Sequence, residues 1–98
     1  MRDYILLMHN DVDEAPTPEM WQSYLERLRT GGRFDGGSAI AGGESLRKAG
    51  TPAPPSEHLG GYLRIRAEDL EAARAFLAGN PVYECGGTIE VRELPRDR

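Results

Sequence analysis

Two histidines and a group of carboxylates are the residues of this chain best suited to chemistry. His9 is followed within five residues by Asp11, Asp13 and Glu14, directly after an apolar run near the start of the chain. Histidine is the side chain whose ordinary pKa lies near neutrality, so acid–base chemistry is the first prediction for His9. A divalent metal is disfavoured, because no second histidine stands at metal-ligand spacing. We therefore expect neither a metal nor another cofactor.

The second histidine, His58, follows a Gly- and Pro-rich segment and immediately precedes an alternating apolar run. If the first and third strands of a sheet are adjacent and antiparallel, the end of the first lies beside the start of the third. His9 and His58 would then flank one cleft, and we predict this pair as the preferred catalytic site. A solvated surface histidine is the alternative for His58, whose nearest carboxylate in sequence is Glu57.

Two strand–helix–strand units position these residues. In the first unit the sequence predicts a strand at about 3–9, a helix that begins at Pro18 after the N-cap Thr17 and ends at Gly31-Gly32, and a weak strand at about 33–41. In the second it predicts a strand at 59–66, a helix at about 68–78 and a strand at 88–94. The buried stripe of the second helix is expected to comprise Leu70, Ala73, Phe76 and Leu77.

Two such units in 98 residues predict one α+β domain over residues 1–98. The expected protomer is ferredoxin-like, with βαββαβ order, an antiparallel sheet, both helices on one face and the weak second strand at an edge. Residues 42–57 are predicted to form a long flexible loop, and residues 95–98 a frayed tail.

The first strand is apolar on both faces, although the helices can cover only one face of the sheet. We expect the covered face to carry Leu63, Ile65, Ile89 and Val91. The open face is then expected to carry Tyr4, Leu6, Met8, Tyr62, Arg64, Glu90 and Arg92. Full burial of a large apolar side chain is worth about 1.5–3 kcal/mol, so we predict a homodimer paired through this open face. A monomer whose long loop folds back over the sheet is the alternative.

Composition excludes several classes of function. The net charge is −4, and the arginines are interleaved with acidic residues, so nucleic acid is not an expected partner. The longest apolar runs are far shorter than the ~20 residues that span a bilayer, so no membrane partner is expected. The chain reaches its first strand without a secretory leader and contains one cysteine, Cys85, which favours the cytoplasm.

Four segments resemble the YCII-related family, including its DGPF-motif branch: residues 3–8 (DYILLM), 41–46 (AGGESL), 59–63 (LGGYL) and 86–92 (GGTIEVR). The resemblance runs nearly end to end and implies a dimeric α+β barrel, in which ferredoxin-like protomers pair through their sheets. Some members of the family are proposed to be enzymes that use a histidine on the first helix and an aspartate just after the second. Those places are held here by Tyr24 and Asn80, and the DGPF tetrapeptide is missing.

The two replacements change the chemistry that the resemblance implies. A tyrosine, with an ordinary pKa near ~10, is a poor base at neutral pH, and an asparagine cannot ionise. We keep Tyr24 as a catalytic candidate and Asn80 as a ligand-binding candidate because of their aligned positions.

Two classes of function remain open. The first is a small-molecule enzyme or binding protein, with a pocket between the sheet and the long loop and acid–base chemistry at His9 and His58. Arg64, which could hold a carboxylate or phosphate, and Glu44, at the entrance of the loop, are further ligand-binding candidates. The second is a non-catalytic dimeric accessory or regulatory domain, whose dimer surface is its function.

Overall fold

The computed structural model describes residues 1–96, which form four strands and three helices. In chain order these are β1 (Arg2–His9), α1 (Pro18–Gly31), β2 (Phe34–Ala39), β3 (Leu59–Ala67), α2 (Leu70–Arg74), α3 (Pro81–Glu84) and β4 (Ile89–Leu94). The strands form one antiparallel sheet in the order β2-β3-β1-β4. The α+β, ferredoxin-like prediction is confirmed, and β2 lies at an edge as expected. One domain over residues 1–98 stays a prediction.

The ends of α1 follow from local chemistry. The Thr17 hydroxyl accepts a hydrogen bond from the backbone N–H of Met20 at 3.2 Å, and Pro18 occupies the first turn. Gly32 ends the helix with φ = 75°, a left-handed conformation that glycine adopts without a Cβ penalty. Between these ends, Tyr24 and Leu28 are buried against the sheet.

The register of β1 decides which of its faces lies under the helices. Leu6 pairs with Leu63 on one side and Val91 on the other, and Tyr4 pairs with Ile65. Residues directly opposite each other in an antiparallel pair share a face, so the even-numbered residues of β1 join the core. Leu6 is completely buried. The prediction that Tyr4, Leu6 and Met8 lie on the open face was therefore wrong.

The open face carries the odd-numbered residues of β1 instead. Ile5 lies opposite Arg64 and Arg92, and Leu7 lies opposite Tyr62 and Glu90. Both apolar side chains are half-buried. The open face is thus mixed, as expected, but with two large aliphatic residues at its centre in place of the three predicted residues.

The second helical region is shorter and more broken than expected. The Asp69 carboxylate accepts from the N–H of Ala72 at 2.9 Å and starts α2, which gives way to a 3-10 turn at Ala75–Leu77. Leu70 is 50% exposed, so its assignment to the buried stripe was wrong. The short α3 was not predicted.

Two further segments are the long loop between β2 and β3 and the C-terminal tail after β4. Residues 42–57 contain neither helix nor strand, as predicted. The Arg96 guanidinium donates to the Asp3 carboxylate, with Nε and Oδ2 2.8 Å apart. The rest of the predicted frayed tail, residues 97–98, lies outside the described residues. Among residues 1–96, no helix combines the length and the apolar character needed to cross a membrane.

We predict that Leu6→Ala lowers the free energy of unfolding by about 2–5 kcal/mol, because it leaves a cavity at a fully buried position. The matched control is Leu70→Ala, which truncates a half-exposed leucine and should cost about 0.5 kcal/mol or less. Denaturant unfolding at low protein concentration measures both. Equal losses for the two variants would contradict the assignment of the β1 faces.

Candidate functional site

A cleft of about 620 Å³ opens between α1 and the β2 edge of the sheet, on the side that the helices cover. Its size is that of a small-molecule site. Its apolar walls come from Met8, Val12, Pro16, Trp21, Leu25, Phe34, Ala39, Leu63 and Val82. Polar residues lining it are His9, Asn10, Arg29, Ser38 and Tyr62. The cleft is therefore mostly apolar, with polar residues contributed chiefly by strands and loop.

The glycine-rich edge strand explains why space remains under α1. β2 reads Phe-Asp-Gly-Gly-Ser-Ala, and only Phe34 offers a large apolar side chain to the helix. Gly37 and Gly61 line the cleft without side chains. A Cβ at Gly61 would lie 3.0 Å from Met8 Cε, and one at Gly37 would lie 2.3 Å from the carbonyl oxygen of Tyr62. Close backbone packing thus requires glycine here and leaves the floor of the cleft flat.

At the end of the sheet, His9 meets His58 and Glu90. His9 Nε2 lies 2.7 Å from Glu90 Oε2, within hydrogen-bond distance. The rings of His9 and His58 are edge to face, with centroids 4.8 Å apart and an interplanar angle of 68°. The predicted approach of the two histidines is confirmed, but only His9 lines the cleft described above. Their catalytic role stays a prediction. We call His9, His58 and Glu90 the strand-end cluster.

Backbone hydrogen bonds hold the strand-end cluster in place. The N–H of His9 donates to the carbonyl of Thr88 at 2.9 Å, and the N–H of Asn10 donates to the carbonyl of His58 at 2.8 Å. The Asn10 side-chain amide also donates to the carbonyl of Glu57 at 2.9 Å. The segment that carries His58 is therefore fastened to the end of β1, although it follows a long loop.

Glu90 is the member of the cluster that sequence reasoning did not connect with His9. Its hydrogen bond with His9 holds the pKa of the Glu90 carboxyl below its usual range, and Arg92, at 3.4 Å, acts in the same direction. The carboxylate is thus ionised at neutral pH. Only the register of β1 with β4 could have indicated the pairing of Glu90 with His9. It places Glu90 opposite Leu7, which is two residues from His9 on the same face of the sheet.

The acidic turn after β1 plays a different part from the one its sequence suggested. The Asp11 carboxylate accepts from the backbone N–H of Thr88 at 2.8 Å and from the Thr88 hydroxyl at 2.6 Å. These hydrogen bonds lower the pKa of Asp11. Asp13 and Glu14 are exposed. Glu90, rather than the acidic turn, supplies the carboxylate that is hydrogen-bonded to His9.

Tyr24 and Asn80 lie inside the protein and do not line the cleft. The Tyr24 hydroxyl donates to the carbonyl of Phe76 at 2.6 Å, and burial raises the pKa of that hydroxyl against the opposing effects of Asn80 and Arg27. Asn80 is completely buried and caps α3 by accepting from the N–H of Tyr83 at 3.1 Å. Their contacts join α1 to the segment between α2 and α3, and functional roles for both residues stay predictions.

Arg64 and Glu44 are also separate from the cleft. Arg64 is exposed on the open face, opposite Ile5, and Glu44 is exposed in the long loop. No residue of 42–57 lines the cleft, which lies under α1 and not between the sheet and the loop as expected. Trp21 and Leu25 of α1 are half-buried, pack against the core and also line the cleft.

Comparisons with known proteins agree with this architecture. The model of the YCII-related domain matches residues 3–96. Among solved structures, the chain is similar to 5-chloro-2-hydroxyhydroquinone dehydrochlorinase (TftG) from Burkholderia phenoliruptrix AC1100, in complex with 2,5-dihydroxybenzoquinone. That similarity has a TM-score of 0.55 and 18% identity, and it covers 97% of this chain and 95% of the other. At this identity it shows a shared fold. The comparison with curated proteins gave no match.

We predict that Asp11→Asn destabilises the protein at about pH 7 and reduces the loss of stability on acidification. The pKa of Asp11 is depressed in the folded state from its ordinary value of 3.8, so its contribution is present above that value and is lost as the pH falls through the folded pKa. Denaturant unfolding at about pH 7 and about pH 2.5 measures the difference. Asp13→Asn, which changes an exposed carboxylate of the same turn, is the control. The same pH dependence in Asp11→Asn and wild type would contradict the prediction.

Proposed function

The chain belongs to the family of YCII-related domains, and from this premise we propose that it is an enzyme for a small, ring-sized organic molecule bound in the cleft under α1. His9 acts as the acid–base group, and Glu90 is its positioning residue. The observation that carries the proposal is that His9 borders the cleft at the end of β1, while its Nε2, on the Glu90 side of the sheet, lies 2.7 Å from a carboxylate oxygen.

The walls of the cleft support a flat, mainly apolar ligand. Trp21 and Phe34 offer aromatic surface, while Leu25 and Leu63 add aliphatic surface. Polar groups that could orient such a ligand are contributed by Arg29 on α1 and by the strand residues. The ligand class is therefore a small ring compound that carries a few oxygen substituents.

The hydrogen bond between His9 and Glu90 supports proton transfer. If the His9 ring donates its Nε2 proton to Glu90, Nδ1 holds the lone pair and accepts a proton from the ligand. The imidazolium that forms is stabilised by the Glu90 carboxylate, and the same proton can return to another atom of the ligand. A histidine oriented by a carboxylate is a recurring arrangement for this chemistry.

The structural neighbour supplies a reasonable probe. That neighbour is a dehydrochlorinase, and the molecule in its complex is 2,5-dihydroxybenzoquinone, a small oxygenated ring. The chemical character of this class matches the apolar walls and the few polar lining residues of the cleft. We therefore choose 2,5-dihydroxybenzoquinone as the test molecule.

We predict saturable binding of 2,5-dihydroxybenzoquinone by chelator-treated protein, measured by calorimetry. We also predict faster exchange of the ring C–H hydrogens of the probe in D₂O, followed by proton NMR. His9→Gln should lower the catalysed exchange about 100-fold or more, because it removes the acid–base group. Glu90→Gln should cause a smaller loss, because it removes only the positioning carboxylate.

A bulky substitution in the wall of the cleft tests whether the ligand binds there. Ala39→Phe places a ring in the wall of the cleft and should abolish binding, whereas Ala49→Phe makes the same change in the exposed loop and should not. Unchanged binding by Ala39→Phe, or wild-type exchange by His9→Gln, would overturn the proposal. A dimer that binds no ring compound would favour the non-catalytic accessory role.

We also propose that two copies pair through the open sheet face. Ile5 and Leu7 lie at its centre and retain apolar surface, which a second sheet would remove from water. Arg64, Glu90 and Arg92 surround them with charges of both signs, which two antiparallel copies can match. The cytoplasmic location expected from the sequence stays a prediction.

We predict that wild type scatters light as a dimer and that Leu7→Asp shifts it toward the 10.8 kDa monomer, because it buries an unpaired carboxylate in the interface. Leu70→Asp makes the same change at the half-exposed leucine of α2 and should leave the mass unchanged. A wild-type mass of 10.8 kDa at high concentration would exclude the dimer.

A further inference from the structure

We propose that the strand-end cluster of His9, His58 and Glu90 is a binding site for a divalent transition-metal ion, with Zn²⁺ as the best-suited ion. This inference goes beyond the proposed function, because it requires no ligand in the cleft. Two imidazoles and one carboxylate would supply three ligands, and the fourth position of a tetrahedral ion would remain open to water or an anion.

The distances within the cluster suit an ion after small side-chain movements. One ligand atom from each of the three residues can be chosen so that all lie within 4.8 Å of one another. Bonds to zinc of about 2.0–2.1 Å place two tetrahedral ligands about 3.3 Å apart. The 2.7 Å pair of His9 and Glu90 must therefore open slightly, and His58 must move closer. His58 is exposed, so a rotamer change can bring its ring in.

The backbone already brings the three ligand residues together. His9 and Glu90 lie on neighbouring antiparallel strands, and His9 is joined to β4 through the carbonyl of Thr88. His58 is joined to the end of β1 through the N–H of Asn10. An ion would thus bind without refolding of the chain, and only the side chains would rearrange.

The electrostatics of the cluster favour a cation. Glu90 contributes a carboxylate to the cluster, and its Oε2 already lies 2.7 Å from His9 Nε2. The Arg92 side chain is 66% exposed, and its Nη1 lies 3.4 Å from Oε1 of that carboxylate. Its long, flexible stem allows the guanidinium to swing away from the carboxylate when an ion arrives. Oε2 and the imidazole nitrogens are then available to the metal.

Metal binding and proton transfer would exclude each other at His9. An ion that takes one nitrogen of His9 and one oxygen of Glu90 replaces the hydrogen bond between them. The metal-loaded and metal-free proteins are therefore distinct states of one site. For this reason the proton-exchange measurements above use chelator-treated protein, so either proposal can fail while the other holds.

Titration of chelator-treated wild type with ZnCl₂ by calorimetry should give one ion per chain. His9→Gln, His58→Gln and Glu90→Gln should each weaken binding at least about tenfold. Co²⁺ in place of Zn²⁺ should develop the visible absorption of a low-symmetry site in wild type, and this absorption should be lost in all three variants. The two histidines of the cluster are the only ones in the chain, so no other imidazole can imitate the signal.

Glu93→Gln is the matched control, because it removes the same charge from an exposed position of the same strand. It should retain wild-type zinc affinity, and circular dichroism should show all four variants folded. Zinc affinity that is equal in wild type and His58→Gln, or that falls equally in Glu93→Gln and Glu90→Gln, would overturn the proposal.

Discussion

The antiparallel pairing of β1 with β3 is the constraint on which the rest of the structure depends. It places Leu6 opposite Leu63 and Tyr4 opposite Ile65, and so determines the face that the helices bury. A shift of one residue would move every side chain of β1 to the other face. The same pairing brings the end of β1 beside the start of β3, where His9 and His58 meet. Core and candidate site are therefore consequences of one register.

The cleft exists because the edge strand β2 lacks large side chains. α1 packs through Tyr24 and Leu28, which are buried, but β2 offers mostly glycine and small residues beneath the other side of the helix. Dense packing of α1 against this edge is impossible without larger side chains, so space remains beside Trp21 and Leu25. The weak strand propensity of β2 is thus the origin of an opening that a ligand could use.

Polar contacts at the end of the sheet connect elements distant in sequence. Asp11 binds Thr88, His9 binds Glu90, and Asn10 binds the backbone before β3. Each contact satisfies a polar group where strands end and ladder hydrogen bonds stop. These bonds give the region a defined geometry, which acid–base or metal chemistry requires. Inside the protein, Tyr24 and Asn80 use their polar groups for helix packing and capping instead.

The sequence by itself determined the order of the four strands, the ends of α1, the edge position of β2 and the approach of His9 to His58. These features depend on local capping, period-two alternation and the adjacency of strands in one topology.

Only the tertiary structure decided the buried face of β1, because an apolar residue at every position between Tyr4 and Met8 carries no period that distinguishes the faces. It also decided that Glu90, 81 residues from His9 in the chain, supplies the carboxylate, since that pairing depends on register and not on spacing. The position of the cleft could not be predicted from the sequence either, because an opening depends on which side chains fail to meet across the packed layers.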